Sequence, residues 1–448
     1  MAVPSTVAAV FRQAGMFTDA AASHRRLKQD TGTGLFFIMQ PACRSHVFRR
    51  NDKNTSRYSP FLRENINFVR MLRTISVISL AMLSAIGCRH DGARLPERGM
   101  RDTVYAATLI FAGDLMQHAP QIDAARTADG FDYESCFRHI APTLDSADAV
   151  IVNLETTLTY TGRYTGYPMF ASPHHLARAM RNAGVDMAVL ANNHICDRGA
   201  KGIEHTVAAL DSAGIASTGA FPDFSRRASY SPLLFETGGI RFALLNGTYG
   251  TNGLPVPHGC TVNLIDTAAI ERDISEARRC GAECIIACFH WGEEYSTQPS
   301  KAQRSLARWS AEHGIDIIIG SHPHVLQPVE HLQNEDSTRS TIVYYSLGNF
   351  VSNQRKRYCD GGMIARIDVF KRKGQKPTLR CGHSLVWVHT PVVDGRRRHT
   401  ILPEWIADTA VKDPSQKATY ELFLQDSRRI LGVSIVEDLK QQVQAATM

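Results

Sequence analysis

Short apolar runs alternate with amphipathic stretches along most of this chain. The runs at 107–113, 149–155, 185–191, 284–289, 315–319 and 341–347 are aliphatic and bounded by Gly, Asn or Asp, the signature of strands buried on both faces. Between them, residues 173–184, 199–213, 266–280 and 301–313 repeat apolar positions at helical spacing. Residues 232–236 and 240–246, joined across Gly238-Gly239, predict a β-hairpin, and 361–370 and 379–389 alternate like strands with one exposed face. The Gly- and Pro-rich 247–259 predicts a long loop, a candidate substrate rim. Residues 416–431 and 435–446 read as polar helices. The sum is an α/β fold.

The strand ends carry the chemistry. The run 185–191 leads into Asn192-Asn193-His194, with Asp197 and Gly199 opening the next helix. Such a cluster at a strand-to-helix turn suits a metal or phosphate site, with His194 as a ligand or a proton donor, although a plain polar turn has the same composition. The other strand ends decide. Strand 107–113 ends in Gly113-Asp114, strand 149–155 in Asn153 and Glu155 on one face, and strand 284–289 in His290, beside which Trp291 reads as wall. Strand 315–319 runs into His322-Pro323-His324, where proline holding the backbone extended would let two imidazoles turn toward one ion; strand 341–347 leads to Asn349. Six polar strand ends imply one shared rim, and a mixed oxygen and nitrogen donor set favours Mn, Fe, Zn or Mg over a sulfur-preferring ion.

Composition changes this picture in one place. The formal charge of +7 comes from residues 1–87, which hold twelve Lys/Arg against four Asp/Glu; the remainder is balanced at 38 against 39, so no nucleic-acid partner is expected. The basic runs 371–373 and 396–398 read as solvated turns. Cys284 and Cys288, on a strand after the helix-breaking Gly281, read as small buried hydrophobes and not as metal ligands. Met71-Leu72-Arg73, the apolar 75–86 and Gly87-Cys88 have the layout of a secretory signal, too short for a membrane span. Ala85-Ile86-Gly87-Cys88 resembles a lipobox, which implies a lipid anchor on Cys88 and a cell-envelope location, periplasmic or extracellular. Residues 1–70 are then upstream of the true start at Met71, or a disordered leader. The expected organisation is leader 1–70, signal 71–88, linker 89–105, the main domain 106–395 and a helical tail 396–448.

Taken in order, Gly113-Asp114-Leu115-Met116, Asn153-Leu154-Glu155, Asn192-Asn193-His194 with Asp197, His290-Trp291-Gly292 with Glu294-Tyr295, Gly320-Ser321-His322-Pro323-His324 and Ser346-Leu347-Gly348-Asn349-Phe350 resemble the CapA-like family of poly-γ-glutamate or capsule biosynthesis proteins. The resemblance covers residues 107–352. That family is similar in turn to calcineurin-like metallophosphoesterases, which implies a four-layer α/β/β/α sandwich of metallophosphoesterase type. It also implies one or two divalent ions on Asp114, Glu155, Asn193, His290, His322 and His324, with His194 as general acid and Asp197 beside it. Two positions depart from the phosphoesterase pattern: Met116 stands where a histidine is usual, and the bridging acid is Glu155 in place of Asp. The first ion would then lose a ligand or find another. The implied partner is an anionic polymer such as poly-γ-glutamate or other capsule material. The implied function is metal-dependent hydrolysis in capsule assembly, with two alternatives: a non-catalytic polymer-binding or export component, and a γ-glutamyl amide hydrolase.

Overall fold

The computed structural model describes residues 104–335, 339–393 and 395–432, with the backbone of 437–438. The expected leader, signal peptide and Cys88 anchor, all of the linker but 104–105, and all but 437–438 of the helix expected at 435–446 lie outside the described residues; Glu437–Asp438 pairs as a short strand with residues 382–383 and is not helical.

Alternation along the first strand sets the layers. In β1 (Val104–Leu115), Leu109 and Phe111 enter one apolar cluster while Ile110 and Ala112 enter another, because successive side chains leave opposite faces of a strand. β1 is followed by β2 (Ala149–Leu154), α1 (His175–Asn182), β3 (Met187–Val189), α2 (Gly199–Ala213) and β4 (Ala216–Thr218). The strands pair parallel in the order β1-β2-β3-β4. Leu176 and Met180 of α1 and Ile203, Val207 and Leu210 of α2 cover the outer face of this sheet. Gly214, with φ of 75°, ends α2 in the left-handed cap that glycine adopts without a Cβ clash.

The second sheet begins with the expected hairpin, β5 (Leu233–Thr237) and β6 (Ile240–Thr248). α3 (Thr267–Arg279), β7 (Cys284–His290), α4 (Lys301–Glu312), β8 (Ile317–Ser321), β9 (Val329–Gln333) and β10 (Ser340–Tyr344) complete it in the order β5-β6-β7-β8-β10-β9. Asp266 caps α3 and a Ser300/Gln303 capping box opens α4. On β7, Cys284, Ile286 and Cys288 face the first sheet, whereas Ile285, Ala287 and Phe289 face α3 and α4. Both thiols are therefore core, as expected, and burial pushes them above the usual range. Helix, sheet, sheet, helix: the expected four-layer α/β/β/α sandwich is what the packing shows.

The chain then returns to the first sheet. β11 (Asn349–Val351) pairs with the end of β1, and the long antiparallel β12 (Gly361–Arg372) and β13 (Thr378–His389) extend it beyond β1. Residues past 396, read above as a helical tail, contribute to the same core. β14 (Thr400–Pro403) pairs with β13, while Ala407 of α5 (Glu404–Ala410) and Tyr420 and Phe423 of α6 (Pro414–Leu431) join the cluster between the sheets.

Candidate metal centre

All the strands that carry the expected site residues run parallel, so their carboxyl ends meet at one edge of the two sheets. Asp114 and Glu155, from β1 and β2, are fully buried there; His290, His322 and His324 come from the ends of β7 and β8 and are 4% exposed or less. Ligand atoms of Glu155, His290 and His322 lie within 4.8 Å of one another, and so do those of Asp114, Glu155 and His324. Glu155 is common to both triads. A carboxylate shared by two ligand sets is the ordinary bridge of a two-ion clamp.

The hydrogen bonds hold these groups in place. Asp114 Oδ1 accepts from Asn153 Nδ2 at 2.8 Å, and Asp114 Oδ2 lies 2.9 Å from His324 Nδ1. Glu155 Oε1 is 3.7 Å from His290 Nε2 and 3.8 Å from His324 Nε2. That oxygen, Asn153 Oδ1 and His322 Nδ1 are buried with no hydrogen-bond partner among the described residues. Such orphans cost on the order of 1–3 kcal/mol each unless a ligand satisfies them. Hard oxygens plus imidazole nitrogens, several of them unsatisfied, fit a divalent cation such as Mn, Fe, Zn or Mg. Electrostatics agree. Burial, and then the Asp114 charge beside it, raise the Glu155 carboxyl well above its ordinary range. Burial and the neighbouring His322 and His324 rings keep His290 well below its ordinary value, and His322 falls to about 4 for the same kinds of reason. Neutral imidazoles are the form that binds metal.

The backbone around Pro323 differs from the extended reading. His322 and His324 adopt φ of 98° and 58°, a left-handed conformation that side chains with a Cβ rarely take. Held on both sides of one proline, the two rings still reach a common ligand set with Glu294, as expected of the pair, while His322 also joins Glu155 and His290, and His324 also joins Glu155 and Asp114. Strain of this kind clusters at functional sites.

Gly113 explains why a glycine precedes the first carboxylate. A Cβ there would lie 2.0 Å from the Gly348 carbonyl oxygen, which accepts the Asp114 amide at 3.0 Å. Asn193 sits at the rim, its Oδ1 2.9 Å from His290 Nε2 and its Nδ2 donating to Asn252 in the 247–259 loop. Asn349 turns its amide to the Cys359 carbonyl and Gln354, and Trp291 donates to the Tyr345 carbonyl as packed wall. His194 Nδ1 is 2.9 Å from Asp197 Oδ2, which also accepts the Phe170 amide at 2.7 Å, and the Phe170 ring packs edge-on against the imidazole.

Three residues at the hollow were not singled out from sequence. Glu294 forms a further possible ligand set with His322 and His324. It stands four positions after His290, a spacing that carries no signal once the strand has ended. His118, four residues after Asp114, is held at about 4 chiefly by burial, with the His324 and His194 rings adding to the effect. Its Nδ1 faces the Gln121 side-chain oxygen and the Asn353 amide, and it enters none of the possible ligand sets among the described residues. Tyr249, half-exposed, lies with its ring centroid 4.6 Å from that of His322 and forms part of the mouth.

Fold and site together define a metallophosphoesterase-type α/β/β/α sandwich with a carboxylate–imidazole hollow at its strand ends. Within that class the chain belongs to the bacterial capsule synthesis protein PGA_cap family, whose profile matches residues 108–354. The capsule biosynthesis protein CapA of Bacillus anthracis is 29% identical over 294 residues, 62% of this chain and 67% of the relative. The PGA biosynthesis protein CapA of Bacillus subtilis (strain 168) is 29% identical over 263 residues, 56% of this chain and 64% of the relative. The chain thus spans about two-thirds of the length of these relatives. Among solved structures it is similar to the NAD nucleotidase of Haemophilus influenzae, with 13% identity, a TM-score of 0.41, and 73% of this chain and 61% of that one covered. It is also similar to the calcineurin-like phosphoesterase YfkN of Bacillus subtilis, with 14% identity, a TM-score of 0.37, and coverage of 73% and 100%. No helix among the described residues is long and apolar enough to cross a membrane.

Proposed function

We propose that this chain is a metal-dependent hydrolase of capsule assembly, held at the cell envelope by a lipid on Cys88 and acting on an anionic polymer of the poly-γ-glutamate kind. The observation that carries the reading is Glu155 shared between two buried ligand triads, with the His194–Asp197 pair on the same rim. Asp114, Glu155, His290, His322 and His324 would hold the ion or ions, with Asn193 at the edge. Bound there, a divalent cation polarises the scissile phosphoryl or acyl group and makes water a stronger nucleophile.

The remaining chemistry belongs to the chain. Asp197 Oδ2 accepts a hydrogen bond from His194 Nδ1 and orients the ring; in its imidazolium form the ring also carries a proton on Nε2, which it hands to the departing oxygen or nitrogen. The Phe170 amide holds the same carboxylate oxygen and the Phe170 ring limits rotation of the imidazole, so the proton donor is oriented before substrate arrives. Asn193, anchored to Asn252, ties the 247–259 loop to the rim.

The test is purified protein assayed for bound ions by elemental analysis, then for turnover of a generic phosphodiester and of γ-linked glutamate oligomers with added Mn²⁺. Stoichiometric metal and turnover lost in His194→Ala support the hydrolase. Polymer binding without turnover of either substrate overturns it in favour of an export or binding component. Mass spectrometry of the mature N-terminus tests the anchor, for which a lipidated Cys88 is expected; an intact 1–70 segment refutes it.

A further inference from the structure

A cleft of about 350 Å³ has in its wall Arg198, the residue after Asp197. Its walls include Thr159, Arg163, Thr165, Arg198, Lys201 and His205, and no carboxylate lines it. Lys201 pairs with Glu204 at 2.6 Å outside the lining, while among the described residues neither Arg163 nor Arg198 has a carboxylate at ion-pair distance. Lys201 is thus partly compensated, and Arg163 and Arg198 carry the cleft's unpaired positive charge in a part of the chain whose overall charge is balanced.

Its construction ties it to the hollow. Thr159 and Arg163 lie on the segment that leaves β2 just after Glu155, and Arg198 and Lys201 lie where α2 leaves β3 just after His194. Arg198 is adjacent to Asp197 in sequence and donates to the Met169 carbonyl at 2.6 Å and to the Thr165 hydroxyl. Its Nε is buried and unpartnered. The loop that carries Thr165 thus touches the cleft cation through Met169 and the Asp197 carboxylate through the next residue, Phe170.

We propose that this cleft is a subsite for a polycarboxylate chain, in which Arg163, Arg198 and Lys201 grip carboxylates on the segment next to the bond held at the metal hollow. The proposal rests on the hydrolase reading for the location of that bond, but not for binding itself. A guanidinium with free N–H groups beside threonine hydroxyls is matched by a carboxylate, whereas a neutral glycan leaves the charge unpaired. Repeated carboxylates along one strand engage cations on several walls at once. The cations act electrostatically, so binding weakens as salt rises.

The experiment measures fluorescence anisotropy of a labelled γ-linked glutamate decamer on the full chain, with bound Mn²⁺ determined on each protein. The variants are Arg163→Gln with Lys201→Gln, two exposed positions whose loss leaves the core intact, and separately Arg198→Lys. The expected result is a Kd raised at least tenfold in the double variant at low salt. The salt dependence becomes shallower and the Mn²⁺ content stays at the wild-type level. Arg198→Lys, which keeps charge but loses the planar fork, is expected to fall between. Wild-type protein that does not bind the decamer overturns the proposal. So does a double variant within twofold of wild type, or a decamer displaced by polyphosphate but not by unlabelled oligoglutamate. A wild type with no bound metal whose decamer affinity still depends on Arg163 and Lys201 sinks the hydrolase reading and leaves the subsite standing.

Discussion

Glu155→Gln separates metal binding from folding more sharply than any other single change. The substitution keeps the side-chain volume and removes the charge that belongs to both ligand triads. In the metal-free protein that charge is a burden, because it is fully buried beside the Asp114 carboxylate and raised in pKa by both causes. A carboxyl whose folded pKa is raised lends stability below its ordinary value of 4.5 and loses it as pH climbs through the folded value. Metal-free wild type is therefore expected to lose melting temperature as pH rises toward neutral, and metal-free Glu155→Gln to melt at or above it with a flatter profile. Added Mn²⁺ reverses the ranking. At an ion concentration of about 100 times Kd, linkage stabilises the wild type by about 2.7 kcal/mol. For a domain of this size that is roughly a 5 °C rise in Tm. Losing the shared ligand weakens binding by at least about 100-fold, the upper end of what even outer-sphere changes cost. At the same ion concentration the variant then gains only about 0.4 kcal/mol, or roughly 1 °C. Differential scanning calorimetry with and without Mn²⁺ at two pH values measures all four quantities. An ion-dependent rise in Glu155→Gln equal to that of wild type would falsify the shared-ligand geometry.

The other expectations follow from neighbouring features. His194→Ala is expected to lower kcat by about 10²- to 10⁴-fold, the usual worth of a positioned acid, without changing Mn²⁺ content; Asp197→Asn, which loosens the same ring, should reduce kcat and shift its pH profile. Unchanged kcat in both, measured on a generic phosphodiester, removes His194 from the chemistry. Gly113→Ala forces a Cβ against the Gly348 carbonyl and is expected to cost about 1–3 kcal/mol in urea unfolding and to weaken Mn²⁺ binding, since Asp114 is the next residue. Asp426 of α6, 2.7 Å from Arg357, is held below the usual carboxylate range mainly by that hydrogen bond. Its contribution is present above its ordinary value of 3.8 and lost as pH falls through the lower folded value. Asp426→Asn should therefore be less stable than wild type by about 0.5–1 kcal/mol near neutral pH and equal to it in strong acid, as read by acid-titrated melts.

Much of this fold was legible because buried parallel strands write themselves as uninterrupted aliphatic runs. Residues 284–289 could be assigned before any partner strand was known, since both faces are covered and every position is apolar. The same logic exposed the site: a polar residue directly after such a run lies at the sheet edge, which is how Asp114, Glu155, His290 and His322 could be gathered from four distant segments. Where the run ends, the inference ends with it. Glu294 and Tyr249 belong to loops whose path is set by tertiary contacts. His118 is held by Gln121, three residues on in a capping box, and by the Asn353 amide, a contact 235 residues away that no local pattern encodes. In the tail the helix expected at 416–431 is present, but a short strand before it carries no sequence signal, for a related reason. The strand Thr400–Pro403 is only four residues long and owes its place to pairing with β13, so no period announces it.

The split of His322 and His324 between two triads bears most directly on how many ions the centre holds. With positive φ on both sides of Pro323, the two rings reach one set with Glu294, and each also enters a Glu155 triad, one with His290 and the other with Asp114. Each Glu155 triad has two further partners, and Glu294 adds a third possible set through His322 and His324. Elemental analysis after mild chelation tells the arrangements apart: two steps of loss are expected if each Glu155 triad holds an ion, and a single step assigns both imidazoles to one ion with Glu294.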